Sequence, residues 1–197
     1  MLKRIAILLV ASAATLGAQN ARVNLAPTSS IRVEGTSNVH AWHLATSTFT
    51  SDIELAAPAS AGSKVEAVTL SIPVTSLKSG KGGLDKNTYK ALNAEKYPEI
   101  TFRLTSYVSE AKGGVFVAKV GGMLTVSGVE KPVTLDATLS GEPAALQAVG
   151  STTFRMTDFG IKPVTALMGT IRTGDEVTIK FELTGATARN IAQLPAQ

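Results

Sequence analysis

Between Val68 and Leu104 the chain passes through two strand-like segments joined by one short amphipathic helix, and everything on either side reads as strand and turn. Val68, Leu70, Ile72 and Val74 alternate with Thr69, Ser71, Pro73 and Thr75, the two-residue period of a strand with one buried face. Ile100-Thr101-Phe102-Arg103-Leu104 repeats the pattern. The link opens with a polar, Gly-containing loop, Ser79-Gly80-Lys81-Gly82-Gly83, after which Asp85 is placed to cap a helix. Tyr89 and Leu92 share one face of that helix, and Pro98 is placed to end it. A lone helix in a strand-rich chain is expected to lie across an open end of a barrel or sandwich, covering apolar residues there.

The same alternation recurs along the chain after a polar lead, Asn24 to Ser30. It predicts eight strands: Ile31–Ser37, Trp42–Leu55, Lys64–Leu77, Glu99–Ser109, Gly114–Val126, Lys131–Ser140, Ala148–Thr157 and Glu176–Thr184. Turn residues separate them at Pro58–Gly62, Lys112–Gly114, Gly128–Lys131, Gly141–Pro143 and Thr173–Asp175. The fold expected is therefore all-β, an eight-stranded antiparallel barrel with one short helix inserted between strands. A ring of that size has an interior just wide enough to be filled by side chains or to hold a ligand. Ten aromatic residues in 197 are too few for the girdles of an outer-membrane barrel, and the outward positions are Thr, Ser, Lys and Arg.

Met1-Leu2-Lys3-Arg4, an apolar stretch from Ile5 to Leu16 and small residues at Ala18 and Ala21 form a secretory signal, residues 1–18, too short to span a bilayer. The expectation is export to the periplasm, a domain over residues 24–185 and a tail over 186–197. The chain has no cysteine, so neither a disulfide, a thiolate metal site nor lipid attachment through cysteine is available. Its net charge of +4 falls to +2 without Lys3 and Arg4, and no run of Lys or Arg provides a nucleic-acid footprint. The residual positive charge reads as ordinary solvation.

Catalytic and metal chemistry find no foothold. His40 and His43 are the only histidines, and a spacing of three puts them on opposite faces of a strand. One of them is a candidate for contact with a ligand head group. No Gly-x-Ser-x-Gly elbow occurs, and Asp175-Glu176 falls in an expected turn. The reading is a protein without enzymatic activity, metal or cofactor.

Four ordered blocks, IPVTSLKSG, LDKNTYKALNAEKYPEITFRL, GGMLTVSGVEKPVTLDATLSG and FRMTDFGI, closely resemble the successive blocks of the YceI family, over about Ile31 to Leu183. The first-strand block, Gly35 to His43, departs from the usual pattern of that family. The resemblance implies a lipocalin-like fold and an exported protein that holds an isoprenoid or similar amphiphilic lipid, such as a polyprenyl quinone or its precursor, in an elongated tunnel. It implies no nucleic-acid partner and no stable membrane insertion, and it leaves a homodimer open. The alternative is an envelope β-domain with a filled core and no ligand, binding another protein through its outer face.

Alternation assigns the wall of such a tunnel to Phe49, Leu70, Ile72, Phe102, Leu104 and Leu124, and further along the chain to Phe154 and Phe181. Leu84, Tyr89 and Leu92 are placed to close its mouth, with Phe159 as a second rim. Lys81, Lys86 and Lys90 are candidates for a pyrophosphate or quinone head. Sparse aromatic bulk and interspersed Ala, Ser and Thr leave room for unfilled space.

Overall fold

The computed structural model describes residues 20–166 and 170–187; the expected signal segment and the tail beyond residue 187 lie outside them. Eleven strands and one α-helix follow in order: β1 (Ala21–Leu25), β2 (Ser30–Ser37), β3 (Trp42–Thr46), β4 (Thr50–Leu55), β5 (Val65–Pro73), α1 (Gly82–Ala91), β6 (Glu99–Lys112), β7 (Val115–Val126), β8 (Val129–Ser140), β9 (Leu146–Arg155), β10 (Thr165–Ala166) and β11 (Ile171–Thr187). All pairings are antiparallel, and β1, β4, β5, β6, β7, β8, β9 and β11 form a closed ring of eight. Closure leaves none of these strands with an unpaired edge.

The ring is the expected barrel, but β2, the expected Ile31–Ser37 strand, pairs β11 from outside the ring of eight, and two further changes of membership go with that. The first is β1, which lies partly within the expected polar lead and closes the ring by pairing β4 on one side and the end of β11 on the other. Val23 and Leu25 do alternate with Arg22 and Asn24, but that signal is only five residues long and abuts the presumed leader. The second is the expected Trp42–Leu55 strand, which breaks at Ser47–Phe49. There the buried Thr46 hydroxyl accepts a 2.9 Å bond from the Thr48 amide, turning the chain out of the ladder. The β2–β3 hairpin sits on the first half of β11, and Ala45 of β3 forms a two-bond bridge with Lys78.

Other boundaries move for local reasons. The β7–β8 turn is the two-residue Ser127-Gly128, both at positive φ (51° and 76°), so β8 starts at Val129 rather than at Lys131. Thr173-Gly174-Asp175 is not a turn. It is a bulge inside β11, where the register against β2 shifts between Thr173 and Val177 while the strand continues. Asp85 does not cap α1 either, since the N-cap is Lys81 without a side-chain bond and Asp85 is the fourth helical residue. The helix stops at Ala91, where Asn93 turns to φ 51°, well before Pro98.

Two apolar clusters close the barrel ends. Val23, Leu55, Ala61, Val65 and Leu146 pack at one end, and Leu124, Val126, Phe159 and Ile161 at the end beneath α1. Between β1 and β2 the fully buried Ser29 hydroxyl donates to the Thr184 carbonyl and accepts from the Thr184 amide, both at 3.0 Å. Replacing Ser29 by Ala strips both groups of that partner in a place water does not reach, so Ser29→Ala should lower the unfolding free energy by about 1–3 kcal/mol in urea titration. An unchanged midpoint would show that this clamp does not hold the ring closed.

Candidate functional site

The interior of the ring is not filled. A cavity of about 210 Å³ runs inside the barrel, and a second of about 300 Å³ lies under α1. Val33, Leu77, Ile100 and Ile179 line both, so the two chambers abut at a shared waist. The inner chamber has no charged lining residue, and its wall is built from the inward positions of almost every strand in the ring.

Room is left where aromatic rings lie against glycines, two of them on neighbouring strands and one in the β4–β5 loop. A Cβ built on Gly122 would meet the Phe102 ring, one on Gly150 the Phe181 ring, and one on Gly62 the Phe116 ring. Each missing side chain lets a ring lie flat on the wall. At the mouth Trp42 covers Gly35 in the same way, its Nε1 donating a 3.0 Å bond to the Thr36 carbonyl.

Of the residues assigned to the tunnel, Leu70, Ile72, Phe102, Leu124 and Phe181 line the inner chamber, and Leu84, Leu92 and Phe154 line the outer one. Four residues line neither. Phe49 falls in the break between β3 and β4, which takes it out of the alternation. Leu104 packs against the cluster at the far end, next to the register shift between Leu104 and Ser106. Phe159 is 1% exposed in the near-end cluster, its ring edge-on to Phe154 at 4.9 Å. The Tyr89 hydroxyl sits 2.8 Å from the Leu77 carbonyl and accepts a 2.7 Å bond from Lys78 Nζ, tying α1 to the chain after β5.

Sequence reasoning missed the outer chamber's other walls. Leu44, Val164, Ile171 and Val177 come from the β2–β3 hairpin and from the segment leading into β11, far from α1 in sequence. Alternation in β3 and β11 marks Leu44 and Val177 as inward residues, but nothing local says that they face a helix. His40 lines this chamber with Ser37, Asn87 and Thr88, while His43 is exposed on β3. Lys81 lines it as well, whereas Lys86 and Lys90 do not. Among the described residues no three His, Asp or Glu side chains come together as a metal site would require.

The helix is pinned over the mouth. Asp85 accepts from the Ser79 hydroxyl and, at 2.8 Å, from the Ser79 amide. These bonds hold its carboxyl below the usual carboxylate range. At the other end the Ser127 hydroxyl donates to the Leu92 carbonyl at 3.0 Å. Because the folded-state pKa of Asp85 is depressed, its stabilisation is complete above the ordinary value of 3.8 and fades as pH falls below it. Asp85→Asn should therefore lower the melting temperature at neutral pH, and the gap to the parent chain should narrow in acid. A gap independent of pH would mean that the charge on Asp85 is not what anchors the helix.

In the inner chamber Tyr107 carries an enclosed hydroxyl without a hydrogen-bond partner. An orphaned hydroxyl of this kind costs about 1–3 kcal/mol. Tyr107→Phe should accordingly leave stability unchanged or raise it in urea unfolding, and a loss above about 1 kcal/mol would reveal a partner for that group.

Comparison with known proteins gives one family. A UPF0312 protein of Pseudomonas putida (strain GB-1) is 37% identical over 111 residues, 52% of this chain and 56% of that protein. Protein YceI of Escherichia coli O17:K52:H18 is 34% identical over 105 residues, 48% of this chain and 52% of its own. The chain thus spans about half the length of the curated relatives it matches. Among solved structures, BcnA of Burkholderia cenocepacia superposes with a TM-score of 0.63 at 21% identity, covering 82% of this chain and 99% of BcnA. A polyisoprenoid binding domain from Saccharophagus degradans, implicated in plant cell wall breakdown, superposes with a TM-score of 0.62 at 12% identity, covering 85% and 98%. At these identities the structural likeness speaks for the fold. The YceI-like domain model matches residues 19–185, from β1 to two residues short of the end of β11, and this chain belongs to that family.

Proposed function

We propose that this chain is an exported binding protein that holds an isoprenoid or similar amphiphilic lipid in its barrel, carries or sequesters it in the cell envelope, and catalyses no reaction. The observation that carries this reading is the pair of abutting, apolar-lined chambers along the barrel axis. A small-molecule site is concave, largely apolar and preformed, with a few polar groups at one end. Here the charged group, Lys81, stands at the mouth, and the walls behind it are mostly Val, Leu, Ile and Phe, with the uncharged Ser60, Thr101, Gln147 and Thr152 among them. The solved polyisoprenoid binding domain of like fold supports the same choice of ligand class. A domain with a filled core is a poorer description of this interior.

The energetics suit a carrier. Burying some 30–40 carbons from water at ~0.8 kcal/mol per methylene would exceed the practical affinity ceiling of about 20 kcal/mol. A polyprenyl tail, however, comes from a bilayer in which it is already dry. Transfer into a dry chamber is then close to neutral, and loading and unloading are both feasible.

Protein purified from cells should carry an adduct of lipid mass in native mass spectra that organic solvent extracts. Leu70→Trp fills part of the inner chamber at a cost of about 1–3 kcal/mol in stability, and the folded variant should lose the adduct. A parent protein that flies only at its bare mass, or a variant with the same adduct, would refute the chamber as the binding site.

A further inference from the structure

The scattered lysines of the sequence gather at one end of the barrel. Three segments that contribute lining residues to the outer chamber, 37–43, 78–96 and 161–173, hold seven Lys and Arg residues against two acids. The other described residues hold nine against thirteen. These three segments are thus +5 and the other described residues −4, although the two nearly cancel over the described chain.

The pairing of these charges is as uneven as their placement. The ion pairs between described side chains, such as Arg22–Glu54, Lys119–Asp136 and Lys180–Glu34, lie on the barrel wall. None of the lysines of the 78–96 segment joins one: Lys81, Lys86 and Lys90 are exposed, and Lys78 and Lys96 sit over the rings of Tyr89 and Tyr97. Of the two acids in the rim, Asp85 is engaged with Ser79, which leaves Glu95. Acids beside the rim are engaged too, Asp175 by the Thr157 amide and hydroxyl, Asp158 by the Arg155 amide and Glu99 by the Ser71 hydroxyl. The turn between β2 and β3 adds Val39, 61% exposed, to the same rim.

We propose that this cationic rim docks the open end of the barrel onto an anionic lipid bilayer, so that the chamber mouth faces the membrane surface. Unpaired lysines around an opening meet an anionic surface without first breaking internal ion pairs, and the acidic remainder of the barrel is repelled, which orients the molecule. The docking stands on the placement of charge. Its use, passing a tail between bilayer and barrel, rests on the lipid-holding function proposed above.

Co-sedimentation with vesicles tests it. The protein should pellet with vesicles of phosphatidylglycerol and phosphatidylcholine in equal parts, remain in the supernatant with phosphatidylcholine alone, and be released by salt. Each rim lysine removed should weaken binding by about fivefold, so Lys86→Glu combined with Lys90→Glu should abolish pelleting. Lys64→Glu combined with Lys112→Glu, the same change in net charge at the far end of the barrel, should leave it intact. Equal pelleting with both vesicle types, or equal loss in both double variants, overturns the proposal. Lipid adducts in native mass spectra, recorded without vesicles, report on the chamber separately, because neither double variant alters a lining residue.

Discussion

Strand β11 pairs with β9 from Glu176 to Gly185 and, on its opposite edge, first with β2 and then with β1, so one strand of seventeen residues closes the sheet at two levels. Without this double closure the barrel would open into a curved sheet with unpaired edges, and the interior would drain into solvent. The Ser29–Thr184 exchange sits where β11 passes from one partner to the other. On either side of the bulge between Thr173 and Val177, residues Ile171, Thr173, Val177 and Ile179 line the chamber under α1.

A closed ring of eight does not by itself leave space; side chains of ordinary size can plug it. What keeps this one open is the pairing of bulk with its absence across neighbouring strands. Phe102 and Phe181, which line the inner chamber, each lie over a glycine of the neighbouring strand, so their bulk is taken up at the wall. The ends are sealed differently. Each end has an apolar cluster, but the near end is also roofed by a helix whose lining residues include polar Asn87 and Thr88. The result is a gradient from oil to water along one axis, the arrangement an amphiphile requires.

The barrel, its antiparallel order and its lone covering helix were legible in the sequence because period-two alternation is written into every long strand, from Val68 to Leu183. Short elements were not. Five residues of β1 cannot outweigh an adjacent leader-like stretch, and the break at Ser47–Phe49 depends on a hydroxyl bond that alternation does not encode. For the site, alternation found the inner wall because each strand contributes to it independently. It could not find the outer chamber, whose walls meet only after the β2–β3 hairpin, α1 and the start of β11 converge. The lysines show the same division: their grouping between Lys78 and Lys96 is plain in the sequence, and their place at the mouth is a property of the fold.

The anchoring of α1 also decides how the mouth opens. Bonds from Asp85 at one end, from the Tyr89 hydroxyl in the middle and to the Leu92 carbonyl at the other leave the helix no free end on which to swing. If the chambers take a lipid tail as proposed, it would enter past the flank of the helix, beside the Ser37–Trp42 corner that also lines the outer chamber. Entry of that kind would need side chains to change rotamer rather than a lid to hinge. The roof would then act as a fixed slot.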